Sequence, residues 1–201
     1  DRNDLSGIVV PLPNGGWDAN FKGASFDLAP TLAGLRVGDR EGDFAERPDK
    51  GPKIIVSVNI DRVWLGEERF LKQVAGIVSR RGGKWTDIDL QGRLEGNKEF
   101  KLTVKSQDGR KRVVTISAED AGAALRGFDL YESMTGGMLE LKGTFDDSKP
   151  GSPLTARLTI DGYRIVEAPA LAQLISLMAL TGILESLQGD GLSFTTLDAP
   201  F

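Results

Sequence analysis

The run Phe100-Lys-Leu-Thr-Val-Lys-Ser-Gln-Asp-Gly-Arg-Lys-Arg-Val-Val-Thr-Ile116 decides the fold. Phe100, Leu102 and Val104 alternate with Lys101, Thr103 and Lys105, and Val114 and Ile116 resume the apolar positions after Gln107-Asp-Gly-Arg110. Period-two alternation sends apolar and polar side chains to opposite faces of a strand. An Asp-Gly pair between two such runs is hairpin chemistry. The same pattern spreads outward in both directions. Within 53–65, Val56, Val58 and Ile60 oppose Ser57, Asn59 and Asp61. Ile88, Leu90 and Leu94 alternate with Asp87, Asp89, Gln91 and Arg93, across a Gly92 that suits a bulge. Leu139, Leu141 and Phe145 oppose Glu140, Lys142 and Thr144; Leu154, Ala156, Leu158 and Ile160 oppose Thr155, Arg157, Thr159 and Asp161. Each strand has one apolar and one wet face, as in an antiparallel sheet covered on a single side.

Helical spacing interrupts this pattern. Glu67 to Arg80 places Phe70, Leu71, Val74, Ile77 and Val78 on one helical face, with Gly82-Gly83 as the stop. Ser117 with Asp120 resembles a capping box that opens a short helix through Ala123, Ala124 and Leu125 to Gly127. Ser6–Leu12 and Ser25–Val37 read as strands, with a turn at Pro13-Asn-Gly-Gly16, and the charged, breaker-rich 38–52 reads as an exposed loop. Pro169 to Leu187 is a third helix with two opposed apolar stripes. Leu171, Leu174, Ile175 and Met178 form one; Leu177, Leu180, Leu184 and Leu187 form the other. Gln173, Ser176, Thr181 and Glu185 punctuate it too often for a membrane span. It could close the sheet, gate a groove or lie on a bilayer, with the second stripe as gate or contact. The expected fold is α+β: a curved, mostly antiparallel, groove- or taco-like sheet with a few helices. Residues 1–201 form one β-rich groove segment, expected to be part of a longer protein.

The 201 residues include no His and no Cys. That removes Ser-His-Asp and Cys-His nucleophile systems, the usual zinc sites and disulfides. No catalytic residue, cofactor or metal is expected, and the chain is not expected to be an enzyme. A net charge of −4 argues against nucleic acid as a partner. Asp87 and Asp89 share a strand face and read as solvated, and Asp146-Asp147 as turn chemistry. The basic clusters Arg80-Arg-Gly-Gly-Lys84 and Gly109-Arg-Lys-Arg112 read as a helix end and a hairpin tip, or else as phospholipid headgroup contacts. Trp17, Trp64 and Trp85 suit a core or rim, and such rings also suit a lipid–water boundary.

Three helices are sparse cover for so many one-sided strands, so either the sheet curls or part of its apolar face holds a ligand. The floor of such a groove would be drawn from Val56, Val58, Ile60, Ile88, Leu90, Leu94, Phe100, Leu102, Val104, Leu139, Leu141, Leu158 and Ile160.

Specific stretches also resemble a known family. Phe26-Asp-Leu-Ala-Pro30 and Asn59-Ile-Asp-Arg-Val-Trp64, followed by Ile160-Asp-Gly-Tyr-Arg-Ile-Val-Glu-Ala-Pro-Ala-Leu-Ala-Gln-Leu-Ile-Ser-Leu-Met-Ala-Leu-Thr-Gly-Ile-Leu184 and Gly189-Asp-Gly-Leu-Ser-Phe194, occur in an order similar to that of the AsmA-like C-terminal region. The resemblance implies a proteobacterial periplasmic protein of the AsmA, YhdP and TamB group. Its inner-membrane anchor would lie outside this chain. It also implies a groove that carries phospholipid acyl chains, adjoining segments of the same chain as neighbours, and a possible envelope protein partner. A structural or assembly module that docks through its β edges is the alternative.

Overall fold

The computed structural model describes residues 2–37, 51–166 and 191–201. Alternation becomes strand throughout: β1 (Asp4–Pro11), β2 (Trp17–Asp27), β3 (Ile54–Trp64), β4 (Phe70–Arg81), β5 (Lys84–Arg93), β6 (Glu99–Gln107), β7 (Lys111–Ala118), β8 (Met134–Asp146), β9 (Leu154–Ile165) and β10 (Leu192–Pro200). They lie in one sheet in chain order, with β1 and β10 as its two edges. Neighbours are antiparallel except β2 and β3, which are parallel. A parallel pair requires a long crossover, and residues 28–53 supply it, beginning with α1 (Ala29–Val37). The second helix, α2 (Ala121–Gly127), packs on β8 and β9. With two short helices on ten strands the described fold is mostly β, so the α+β class holds only loosely. Neither helix is long enough to cross a membrane.

Register aligns the apolar face into three cross-strand rows. The first runs Val56, Val78, Ile88, Val104, Val114, Gly143 and Ala156. The second runs Val58, Gly76, Leu90, Leu102, Ile116, Leu141 and Leu158. The third runs Ile60 and Val74, then Gly92, Phe100, Ala118, Leu139 and Ile160. Gly76, at φ 149°, is a position where glycine is needed: a Cβ there would collide with the Asp89 carbonyl oxygen.

Three expectations are corrected. Residues 67–80 are not a helix. Phe70–Arg81 is strand β4, and its register against β5 shifts between Lys72 and Ala75, where Gln73 adopts φ 50°. That bulge inserts one residue, so Leu71 and Val74, three apart, both turn inward and are buried. A phase slip in a strand thus imitates the i, i+3 spacing of a helix. Gly82 and Gly83, both at positive φ, form a tight hairpin turn rather than a helix stop. Second, 25–37 is not a strand: β2 ends at Asp27, whose Oδ1 accepts from the Ala29 N–H (3.0 Å) and so opens α1. Third, Ser117 lies within β7. The cap of α2 is Asp120, whose Oδ1 accepts from the Ala123 N–H at 2.8 Å.

The helix α2 docks through its smallest side chains. Ala121, Ala123 and Ala124 are buried, and a Cβ at Gly122 would strike the Met134 carbonyl. The loop reading of 38–52 falls mostly outside the described residues, as does the two-striped helix with Leu177, Leu180, Leu184 and Leu187. Asp120→Ala should cost about 0.5–2 kcal/mol in urea unfolding, the usual price of an N-cap. Asp120→Asn should keep most of that stability.

Candidate functional site

Between the helices and the sheet lies an apolar cavity of about 560 Å³. Its floor is Leu90, Leu102, Ile116, Leu141 and Leu158 of the second row, with Phe100 and Leu139 of the third. Leu28 and Leu32 wall it from the α1 side, and Ala124, Leu125 and Phe128 from the α2 side. Val63, Leu65, Leu71 and Val74 form the flank nearest β3 and β4, and Leu130, 68% exposed, stands at the mouth. Gln91 is the one polar residue of the lining. A volume of this size lies in the range of ordinary ligand pockets, about 300–1,000 Å³.

Burial sorts the expected groove residues into three groups. Leu90, Phe100, Leu102, Leu139, Leu141 and Leu158 line the cavity. Ile60, Leu94, Val104 and Ile160 share the face but are buried by protein, Ile160 at 2% exposure. Val56, Val58 and Ile88 are half-buried on the same face and do not line the cavity. The lining adds residues that the alternation placed on the wrong element or did not single out. The sequence pattern suggests a helix at Leu71 and Val74 and a strand at Leu28 and Leu32, where the structure has β4 and the start of α1. Ile116 and Leu125 were legible in their patterns but not as lining.

A charged clasp holds the turn end of the apolar face. Arg112 shares the face of Val114, two residues away, and its guanidinium grips Asp147 through Nε–Oδ2 (2.7 Å) and Nη2–Oδ1 (2.9 Å). Its Nη1 donates to the Trp85 carbonyl of β5 (2.9 Å). Lys84 Nζ lies 3.3 Å from Asp147 Oδ1 and donates to Ser152 Oγ at 2.9 Å. These contacts tie β5, β7 and the β8–β9 turn together across one end of the curved sheet. Arg112 also lies over the Phe145 ring, 4.6 Å from its centroid.

The Arg112 guanidinium holds the Asp147 carboxyl well below the usual carboxylate range, with Ser152 and Lys84 adding to the effect against the opposing cost of burial. Asp146 is also lowered, chiefly by its hydrogen bond from Ser148. The Asp146-Asp147 pair is thus a turn and a clasp. Asp87 and Asp89 are exposed, and Asp89 pairs with Lys105 at 3.7 Å.

A second cleft, of about 880 Å³, lies beside α2 and is lined mainly by charged residues, among them Glu67, Glu68, Arg69, Lys72, Glu95 and Arg126. Among the described residues no group of three or more carboxylates could hold a metal ion. No family model, curated protein or solved structure matches the chain.

Asp147→Asn should destabilise the chain at neutral pH by about 1.5–3 kcal/mol, the range for hydrogen bonds to charged groups. Because the folded carboxyl titrates below its unfolded value of ~3.9, its stabilisation is complete above that pH. It is lost as pH falls toward the folded value. Urea unfolding of wild type and variant should therefore converge in strong acid.

Proposed function

We propose that the chain is a non-enzymatic lipid-handling segment whose apolar cavity holds the hydrocarbon chain of a phospholipid or another lipid. The carrying observation is the cavity lining, in which Gln91 is the single polar residue, on a sheet face that the two described helices cover only in part. A hydrocarbon chain entering it gains about 0.8 kcal/mol per buried CH₂. Such a ligand needs no hydrogen-bond partner along its length, which suits a wall of Leu, Ile, Val and Phe. The order of the Phe26–Pro30, Asn59–Trp64 and Ile160–Phe194 stretches supports an AsmA-like protein of the bacterial envelope. In that reading the segment is periplasmic, tied to the inner membrane by a part outside this chain, and flanked by adjoining segments.

A second reading, an assembly module that docks an envelope partner, rests on β1. This edge strand exposes Ile8 (71%), Val9 (53%) and Val10 (47%), an apolar edge open to strand addition.

Native mass spectrometry of the purified chain should show bound lipid. A photo-crosslinking residue at Leu102 or Leu141 should label its acyl chain. Leu102→Trp, which fills the cavity from a half-buried position, should lower lipid occupancy several-fold with far-ultraviolet circular dichroism unchanged. Ile160→Ala should instead cost about 2–5 kcal/mol, as a core truncation. Lipid-free protein, with label only on neighbouring protein, would leave the β1 docking reading in its place.

A further inference from the structure

The two ends of the sheet carry opposite charge. Trp17 of β2, Ile54 of β3, Arg80 of β4 and Trp85 of β5 are successive cross-strand partners along one rim. Both tryptophans are open, at 47% and 44% exposure. The turns at this rim are basic. The β4–β5 turn brings Arg80, Arg81 and Lys84, and Lys53 precedes β3. The β6–β7 turn brings Arg110, Lys111 and Arg112 against Asp108. The β8–β9 turn brings Lys149 against Asp146 and Asp147. Counting the turns and the strand ends beside them, eight cations among the described residues of this rim face four carboxylates, Asp18, Asp108, Asp146 and Asp147, a surplus of four. Lys84 and Arg112 are engaged by Asp147, and Lys149 by Asp146 at 3.1 Å. Arg81, Arg110 and Lys111 are exposed.

The connections at the other end reverse the sign. Residues 65–69, 94–99 and 119–133 carry eight carboxylates against Arg69, Lys98 and Arg126. Among the described residues, positive charge thus concentrates at the end that also exposes Trp17 and Trp85.

We propose that this turn end docks on an anionic lipid bilayer, with Trp17 and Trp85 at the headgroup boundary and the turn cations over the headgroups. Indole rings favour the membrane–water interface because one part is apolar and the N–H is wet. Arginine and lysine are drawn to an anionic surface within a Debye length of it. The acidic end is repelled by the same surface, so attraction and repulsion together orient the molecule with its turns down. This goes beyond the acyl-chain reading and does not need it: docking is read by flotation, cavity occupancy by mass spectrometry, and either can fail alone.

The test is flotation of the whole chain with phosphatidylcholine vesicles, with and without phosphatidylglycerol. Binding is expected only where phosphatidylglycerol is present, and it should fall as salt is raised. Arg81→Glu combined with Lys111→Glu should weaken it about tenfold or more, with circular dichroism unchanged. Trp85→Ala should weaken it at low and high salt alike. Lys101→Glu with Lys142→Glu, the same charge change on the polar face of the sheet, should bind nearly as wild type. Equal binding to both kinds of vesicle, or none, would overturn the proposal. So would equal damage from the control pair, or displacement by duplex DNA at matched phosphate.

Discussion

A single layer of strands with one apolar face cannot stay flat in water. Each square ångström of apolar surface left exposed forfeits roughly 25 cal/mol, and α1 and α2 are too short to cover ten strands. Among the described residues, curling the sheet toward that face is what adds to their cover. The contacts of Arg112 with Asp147 and the Trp85 carbonyl lie at one end of the curved sheet, where they join β5, β7 and the β8–β9 turn. They also explain why charge is tolerated there. Each donor and acceptor of the cluster has a partner, so two largely buried side chains, 11% and 10% exposed, carry little unmet polarity.

Most of the sheet could be read from the sequence because its alternation is strict wherever one face is dry and the other wet. The Asp108-Gly109 turn behaved as its chemistry dictates, with both residues at positive φ. Reading failed where tertiary pairing resets the phase. In β4, the residue inserted at Gln73 turned two half-strands into an imitation of a helix, and only pairing with β5 reveals the insertion. At Phe26–Leu32 the failure had another cause. Leu28 and Leu32 are spaced equally well for a helix turn, and what decides for the helix is the side-chain turn at Asp27, whose Oδ1 accepts from the Ala29 N–H. The candidate site was therefore half visible: strands gave the floor, but the walls from α1, α2 and the bulged β4 needed the fold.

The three rows of the apolar face have unequal duties. In the third row Ile60, Phe100, Ala118, Leu139 and Ile160 are buried, and α2 packs at this end of the sheet. In the first, Val104, Val114 and Ala156 are buried beside the clasp. Between them Leu90, Leu102, Ile116, Leu141 and Leu158 are only half-buried and line the cavity. Stability is thus carried by the outer rows, while the central row keeps apolar surface in reserve. The buried Val74, Phe100 and Leu139 of the third row also reach the cavity, so the separation between the rows is one of degree. In the proposed reading that separation is what a lipid carrier requires: a ligand whose departure costs the central row its cover, not the protein its fold.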